Sequence, residues 1–592
     1  MRGVPESRPN RFLVELIKPS HYDDDGYVVQ WWKAWIPSNS LACLYALSLD
    51  LADRRALGED VEIVINAYDE TNTVIPVRKI IKRLTRSGDP GLVCLVGVQS
   101  NQYPRAMDIA RRFRAAGIQV AIGGFHVSGC ISMLPELPDD LQEAVDRGIT
   151  LFAGEAEGRL DHVFADALHG RLKPIYNFLS DLPGLQGQVV PILPEKIVKK
   201  YVGSISSFDA GRGCPFQCSF CTIINVQGRK SRWRDADDVE RLVRANLARG
   251  VHRFFITDDN FARNRNWEAI FDRLIELREK DGLKPHFIIQ VDTLCHKIPG
   301  FVEKAARAGC TRVFIGLENI NPDNLIAAQK RQNRITEYRR MLQAWRDVGV
   351  ITYAGYILGF ANDTPESIKR DIEIIKRELP IDLLEFFCLT PLPGSADHKD
   401  LYVRGVPMDR DMNMYDLEHV CTDHPRMSKE QWQAIYREAW DLYYSPEHVE
   451  TLLKRSAASG IKPVRTMHHV LQFYGSLIYE RVHPLQSGYF RRKVRTQRRS
   501  GMPLESPLLF YPRRVWEALS TYLPLLAYYV RLTLLRKRIE KDPAMRSYSD
   551  LALTPATQAE EEHLDLFEHS DAAKAAVAKA KARAAAGRTA AA

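Results

Sequence analysis

The sequence predicts an α/β protein in which a doubly wound, Rossmann-like parallel sheet is followed by a partial (β/α)6 barrel and a helical C-terminal region. Apolar runs alternate with amphipathic segments over about 61–160, and the alternation returns at longer spacing over about 200–400. Parallel strands covered by helices on both faces have this pattern. Residues 428–480 have helical spacing and many aromatic side chains, which indicate an ordinary helical core. We expect the domains to span residues 1–195, 196–425 and 426–545, with a disordered Ala/Lys-rich tail over 546–592.

The first region contains four apolar runs that predict buried strands, with helical spacing between them. The predicted strands lie at 61–66, 92–98, 119–124 and 149–155. Ligands bind at the carboxyl ends of such strands. The candidate binding residues at these ends are Asp69, Glu70, Ser100, Gly123, Gly124, His126, Gly154, Glu155 and Glu157. A Rossmann-like domain that binds nothing is the alternative, because a fold does not fix a function.

The second region predicts six strand–helix units. The strands begin near positions 205, 253, 286, 311, 351 and 383. Active residues of such barrels lie at the carboxyl ends of the strands. The candidates at these ends are Asp258, Asp259, Asn260, Gln290, Asp292, Glu318 and Gly359. A single one of these polar residues is as well explained by loop capping, but their recurrence at successive strand ends predicts a site.

The composition is that of a globular protein. Hydrophobic residues make up 45% of the 592 residues and charged residues 26%. The net charge of +8 does not by itself indicate nucleic-acid binding, although six basic residues fall within 491–499. The ten cysteines form no disulfide framework, which fits a reducing cytosol. The N-terminal sequence lacks the apolar core of a signal peptide. We therefore expect a cytoplasmic protein.

Three of the cysteines are concentrated in one short segment. Cys214, Cys218 and Cys221 lie in Gly-Arg-Gly-Cys-Pro-Phe-Gln-Cys-Ser-Phe-Cys-Thr, where proline and glycine favour a loop. Three thiolates suit a metal centre that keeps one position open. Zinc would normally have a fourth protein ligand nearby, whereas an iron–sulfur cluster can leave one iron free for a cosubstrate. A zinc knuckle or plain loop cysteines are the alternatives.

The spacing C-x3-C-x-aromatic-C, with Phe220 before the last cysteine, resembles the signature of the radical S-adenosylmethionine (SAM) enzymes. The resemblance implies that Cys214, Cys218 and Cys221 bind a [4Fe–4S] cluster whose unique iron chelates SAM. One electron then cleaves SAM to methionine and a 5′-deoxyadenosyl radical. The candidates of the second region match positions on the SAM side of this family.

The resemblance assigns these positions as follows. Asp258, Asp259 and Asn260 match the motif that takes the SAM amino group. Gln290 and Asp292 lie where ribose or substrate contacts fall. Glu318 matches a ribose or carboxylate contact, and Gly359 ends a strand near the adenine.

The first region resembles the cobalamin-binding domain that precedes many radical SAM cores. Gly123-Gly124-x-His126 followed by Gly154-Glu155-x-Glu157 is a typical pairing of that domain, and Asp69, Glu70 and Ser100 match its other loops. The classical Asp-x-His-x-x-Gly motif, whose histidine ligates cobalt, is missing. The resemblance therefore implies cobalamin without a protein ligand to cobalt, with His126 as a turn residue beside it.

The domain order resembles two groups of enzymes. The first performs cobalamin-dependent C-methylation, here expected on a hydrophobic metabolite or lipid, and the second performs radical oxidation or ring closure on porphyrin-like molecules. Both imply a small-molecule substrate and an external electron donor of the flavodoxin or ferredoxin type. RNA modification, suggested by the basic cluster, and a cobalamin or iron–sulfur sensor are weaker alternatives. A sensor would not need the complete set of strand-end polar residues.

The segment 515–535 is strongly apolar but contains Glu517, Pro524 and Arg531. These residues argue against a membrane-spanning helix. Basic residues flank the segment at 513–514 and 536–538. An interfacial helix and a buried packing helix explain the pattern equally well. The first would place the enzyme at the periphery of the inner face of a membrane.

Overall fold

The computed structural model describes residues 10–554 and 563–589. The first nine residues, on which the prediction about a signal peptide depends, lie outside the described residues. Residues 555–562 and 590–592 of the predicted tail also lie outside them. The described residues contain two parallel sheets of six strands each, which confirms the predicted α/β class.

The N-terminal region forms the first of these sheets. The strands of this region are β1 (Asn10–Lys18), β2 (Gln30–Ala34), β3 (Val61–Asp69), β4 (Gly91–Leu95), β5 (Gln119–Gly123), β6 (Thr150–Ala153) and β7 (Ile175–Asn177), of which β2 lies outside the sheet and pairs with a C-terminal strand. Its helices are α1 (Asn39–Asp53), α2 (Val77–Ser87), α3 (Tyr103–Arg114), α4 (Phe125–Met133), α5 (Asp139–Asp146), α6 (Leu160–Leu168) and α7 (Glu195–Val198). The sheet order is β3-β1-β4-β5-β6-β7, and all neighbours are parallel.

The N-terminal extension supplies an interior strand that the sequence reading missed. Strand β1 lies between β3 and β4, and Phe12, Val14 and Leu16 are fully or almost fully buried. Glu15 interrupts this apolar run and hides the strand from a hydropathy pattern. Its carboxylate is buried, and the Arg83 guanidinium lies 2.5 Å from it. The ion pair offsets part of the cost of burying this carboxylate in an interior strand, although burial still raises the pKa of Glu15.

The second sheet is the predicted partial barrel. Its strands are β8 (Ile205–Phe208), β11 (Arg253–Ile256), β12 (His286–Val291), β13 (Cys310–Glu318), β14 (Ile351–Leu358) and β15 (Leu383–Cys388), with a short pair β9 (Gly211–Arg212) and β10 (Arg232–Trp233) beside it. The helices are α8 (Ile223–Val226), α9 (Ala236–Leu247), α10 (Trp267–Glu279), α11 (Phe301–Ala308), α12 (Pro322–Ala327), α13 (Ile335–Asp347), α14 (Pro365–Glu378) and α15 (Ala396–Val403). The six main strands are parallel neighbours in the order β8-β11-β12-β13-β14-β15.

The C-terminal region is mainly helical, as predicted. It contains α16 (Lys429–Tyr443), α17 (Pro446–Ala458), α18 (Pro463–Glu480), β16 (Gly488–Arg492), α19 (Pro507–Lys541), α20 (Asp565–Glu568) and α21 (Asp571–Thr589). Its aromatic side chains form a core against the barrel. The Tyr443 hydroxyl donates to the Ile381 carbonyl oxygen at 3.1 Å, and the Tyr444 hydroxyl donates to Leu384 at 2.8 Å.

Helix α16 approaches the barrel most closely where β14 ends. Gly359 has φ 105°, and a Cβ there would lie 1.8 Å from the Trp432 ring. The Trp432 indole N–H donates to the Leu358 carbonyl oxygen at 3.1 Å. Glycine at 359 is therefore required both by the backbone conformation and by the packing of the helix.

The C-terminal tail and the apolar segment 515–535 each depart in one respect from what the sequence predicts. Residues 571–589, predicted to be disordered, form helix α21, and Ala573 on it is fully buried. Alanine has the highest helix propensity, and contacts with α13 support this helix. Helix α19 packs one side against α18 but leaves its other side uncovered, so the prediction of a buried packing helix is wrong.

Candidate active site

The cysteine loop lies between β9 and α8, beyond the carboxyl end of β8. All three cysteines are free, with Cys218 buried and Cys214 and Cys221 half-buried. Burial raises the pKa of the Cys214 thiol to about 11 and that of Cys221 to about 12. A thiol of this kind ionises at neutral pH only when a cation binds it. The loop therefore offers three ligands to a metal centre.

The donor set fits an iron–sulfur cluster better than a single zinc ion. In the described ranges, no group of three or more His, Cys, Asp or Glu side chains is placed to share one metal ion. A structural zinc site requires such convergence, whereas the thiolates of a cluster bind different irons. The Gln332 amide lies 3.4 Å from the Cys218 sulfur and can donate to it. Hydrogen bonds to the sulfurs are one of the means by which proteins adjust a cluster.

Asp258 and Asp259 have different surroundings in the structure, although the sequence analysis treats them as one motif. The Asp258 carboxylate accepts from the Ala210 and Gly211 amides at 2.7 and 2.8 Å and from Asn264 at 2.9 Å. It therefore anchors the segment that leads into the cysteine loop. Among the described residues, the Asp259 carboxyl forms no hydrogen bond or ion pair with another residue, and burial raises its pKa to about 7. Asp259 is the carboxyl group of the pair that is available to a ligand.

The side chains of Asp292 and Asn260 also bond to other groups of the protein. Asp292 forms a two-pronged ion pair with Arg263, with N–O distances of 2.6 and 2.8 Å. The Asn260 amide donates to the same carboxylate at 3.0 Å. Gln290 is only half-buried, and its amide donates to the Asp258 carbonyl oxygen at 3.2 Å. Of these predicted residues, only Gln290 keeps part of its side chain accessible.

Glu318 contacts a lysine that the sequence analysis missed. The Lys330 ammonium forms an ion pair with Glu318 and lies 5.6 Å from the centre of the Phe220 ring. Burial alone would lower the pKa of Lys330, but Glu318 and the nearby Cys218 raise it above its ordinary value. The lysine is therefore charged beside the cysteine loop. Lys330 and Gln332 lie in the polar loop after α12, which in sequence resembles a solvated connection.

A buried ion network joins the two sheets beside the cysteine loop. Arg212 lies 2.7 Å from Glu155, 2.6 Å from Glu157 and 3.1 Å from Asp209. Arg232 pairs with Glu155, and Arg234 lies 3.2 Å from Asp209. Three guanidinium groups thus balance three carboxylates.

Arg212 lowers the pKa of its partner Glu157. Burial would raise the pKa of Glu157, but Arg212 outweighs burial and lowers it. Glu157 is therefore ionised, and both Glu155 and Glu157 bind Arg212, the residue two positions before Cys214.

A cavity of about 180 Å³ lies at the carboxyl edge of the first sheet. Five predicted residues line it: Gly123, Gly124, Gly154, Glu155 and Glu157. The rest of its wall is mostly apolar, and Arg212, Val226 and Gln227 close it from the barrel side. The cavity therefore ends at the helix that directly follows Cys221.

Four predicted cobalamin-side residues lie outside this cavity. The Tyr201 hydroxyl donates to Asp69, and Arg105 pairs with Glu70 at 2.6 Å. His126 is buried between Ser100, at 3.2 Å, and Asp140, at 2.9 Å. These side chains support the loops around the cavity instead of lining it, because each already has a buried partner.

The fold and the cysteine site together define a radical SAM enzyme. The radical SAM superfamily profile matches residues 209–375, which contain the cysteine loop and strands β11–β14. These residues form a radical SAM domain, and the chain is similar to cobalamin-dependent members of that superfamily. The match confirms the predicted [4Fe–4S] cluster and SAM as cofactors of the family.

Several characterised relatives are methyltransferases by name. The bacteriochlorophyllide d C-12(1)-methyltransferase of Chlorobaculum tepidum is 29% identical over 55% of this chain and 69% of its own length. The hopanoid C-2 methylase of Rhodopseudomonas palustris is 25% identical over 49% of this chain and 54% of its own length.

Solved structures share the fold at lower identity. The radical SAM methyltransferase TsrM of Kitasatospora setae, solved with tryptophan and a SAM analogue, matches with a TM-score of 0.55 and 15% identity, over 75% of this chain and 90% of its own. The cobalamin-dependent radical enzyme OxsB, solved with aqua-cobalamin, matches with a TM-score of 0.50 and 15% identity, over 95% of this chain and 84% of its own. Both likenesses are likenesses of fold.

Replacing Arg212 should destabilise the enzyme far more than replacing an exposed arginine. Arg212→Met leaves three buried carboxylates without this partner, a change that costs about 3–5 kcal/mol. We expect the midpoint of thermal unfolding to fall by about 5–10 °C. Arg404→Met is the matched control, because Arg404 and Asp400 form an exposed pair worth at most about 1 kcal/mol. Equal midpoints for the two variants would contradict the role of the network.

Proposed function

We propose that this chain is a cobalamin-dependent radical SAM methyltransferase that methylates carbon in a hydrophobic small molecule or lipid. The observation that carries the proposal is that part of the cavity wall is formed by residues next to the cysteine loop in the chain. Arg212, Val226 and Gln227 line the cavity of the first domain and lie within six residues of Cys214 or Cys221 in the chain. The names of the relatives, which refer to a bacteriochlorophyllide and a hopanoid, support a hydrophobic polycyclic substrate.

The cavity is the part of the first domain that we assign to cobalamin. Gly124 has φ 148°, and a Cβ there would lie 2.1 Å from the Val98 amide nitrogen, so only glycine allows the sheet edge to form this wall. The apolar lining suits the heteroaromatic base of cobalamin. No histidine is among the described residues that line it. This supports cobalamin binding without a protein ligand to cobalt.

We assign the SAM side to three residues at the barrel edge, Asp259, Lys330 and Gln290. Asp259 is the unpaired carboxyl group near Cys214 and Cys221, and it suits the SAM amino group by charge. Lys330, held by Glu318, suits a carboxylate. Gln290 offers an amide at the end of β12. Asp258, Asn260 and Asp292 then act as positioning residues.

When bound, the cluster and SAM supply a 5′-deoxyadenosyl radical, and cobalamin supplies the methyl group. The protein positions the reactants and excludes water. Helices α16 and α18 serve this task, because their aromatic side chains cover β14 and β15. The electron comes from an external donor of the flavodoxin or ferredoxin type. A reducing cytoplasm suits such a cluster.

Isotope transfer tests the methylation directly. With SAM deuterated in its methyl group and a panel of polycyclic lipids and tetrapyrroles, we expect the product to gain the labelled methyl. Mass spectrometry of the product and of 5′-deoxyadenosine checks this. Accumulation of 5′-deoxyadenosine with an oxidised or cyclised, unlabelled product would reject methylation and favour radical oxidation or ring closure.

The variants Asp258→Asn and Asp259→Asn should have different effects on SAM affinity and on stability. Removing the charge of Asp259 should weaken SAM binding at least tenfold, since hydrogen bonds to charged groups contribute about 1.5–3 kcal/mol. Cluster absorbance should stay unchanged. Asp258→Asn should instead lower the thermal midpoint, with a smaller effect on SAM affinity. Equilibrium dialysis with SAM and absorption spectra of the reconstituted variants check both, and equal losses of affinity would contradict the assignment.

A further inference from the structure

Helix α19 presents a continuous apolar stripe to solvent. Its positions recur at intervals of three and four residues, which places them on one face of the helix. The stripe consists of Leu508, Pro512, Val515, Leu519, Leu523, Leu526, Val530 and Leu534. Its leucines and valines are 47–85% exposed. No charged residue lies on the stripe.

The opposite side of α19 is fixed to the protein along its whole length. Phe510, Leu532 and Ile539 are buried at its beginning, towards its end and in its last turn. In its middle, the Tyr528 ring lies 5.8 Å from that of Tyr474 on α18. A helix that crosses a bilayer could not keep this packing, although α19 is long and apolar enough by composition. The geometry therefore suits a helix that lies flat on a surface.

Aromatic side chains extend the apolar surface on both flanks of the stripe. Trp516 is 70% exposed and Tyr511 60% exposed on the helix itself. The two-stranded antiparallel sheet of β2 and β16 adds Trp32 and Phe490, which are 61% and 56% exposed. The Phe490 ring lies 5.5 Å from that of Tyr522 on α19, so the apolar surfaces of the helix and of this small sheet are continuous. Exposed aromatic rings of this kind are typical of the membrane–water interface.

The charges of α19 favour an anionic partner. The helix has seven basic residues and two acidic ones. Glu517 pairs with Arg513 and Arg514, and Glu540 pairs with Arg536. Among the described residues, the exposed Arg531, Lys537 and Arg538 form no ion pair. Cationic side chains beside an apolar face are complementary to the headgroups of anionic lipids.

We propose that the stripe of α19, with the aromatic side chains of the β2–β16 sheet beside it, is a docking surface for an anionic lipid bilayer. The stripe enters the interface, the aromatic rings lie at headgroup level, and the unpaired basic side chains contact anionic headgroups. A second copy of this chain is the competing occupant. A helix-to-helix seam would have charged residues beside the stripe, where this helix has Leu509, Trp516 and Ala527.

Vesicle flotation tests the proposal on the anaerobically purified enzyme with its cluster. Vesicles of phosphatidylcholine with an equal amount of phosphatidylglycerol should carry the enzyme, and binding should weaken in high salt. The variant Leu523→Glu/Leu526→Glu should lower the partition coefficient about a hundredfold, since each of the two leucines contributes roughly tenfold. The control Val403→Glu, an exposed apolar residue on α15, should bind like the parent.

Two further measurements decide between the occupants. Arg531→Glu/Lys537→Glu should remove the preference for anionic over pure phosphatidylcholine vesicles. Light scattering should show the same mass for the parent and the leucine variant. The proposal is overturned if the parent does not float with vesicles, or if it forms a dimer that the leucine variant dissociates. SAM cleavage to 5′-deoxyadenosine should be unchanged in the surface variants, so the result is independent of the proposed methylation.

Discussion

The ion network around Arg212 is the constraint on which the two-site arrangement depends. Arg212 lies two residues before the first cluster cysteine and binds carboxylates from both α/β domains. Buried ion pairs of this kind add little net stability, but a partner left alone is costly. The network therefore favours one relative position of the domains over others. In that position, the part of the cavity wall formed by Arg212, Val226 and Gln227 belongs to the same short segment as the cysteine loop.

A second contact reinforces this position through close backbone packing. A Cβ on Gly129 of α4 would lie 2.4 Å from the Pro393 carbonyl oxygen and 2.9 Å from Gly394. The Asn225 side chain of α8 donates to the Gly394 carbonyl oxygen at 2.9 Å, and Ser132 of α4 donates to the Asn225 carbonyl oxygen. The loop after β15, the helix after the cysteines and the first domain thus meet at one point.

The sequence predicted the parts of the site that depend on local pattern. Apolar runs gave the parallel sheets, and the spacing of Cys214, Cys218 and Cys221 predicted the metal centre. Pattern alone could not show which strand-end residues bond to other groups of the protein and which remain available to a ligand. Asp258 and Asp259 are adjacent in sequence, but only the structure shows that the backbone amides of residues 210 and 211 donate hydrogen bonds to the Asp258 carboxylate. Lys330 has no motif, because its role depends on a contact with Glu318 across a loop.

Metal content of the Arg212→Met enzyme is the most direct test of this account. If the network positions both cofactor sites, iron and cobalt should fall together in the variant purified without oxygen from cells supplied with cobalamin. The Arg404→Met enzyme should retain the parent's content of both metals. An Arg212→Met enzyme with the parent's full content of iron and cobalt would contradict the central claim.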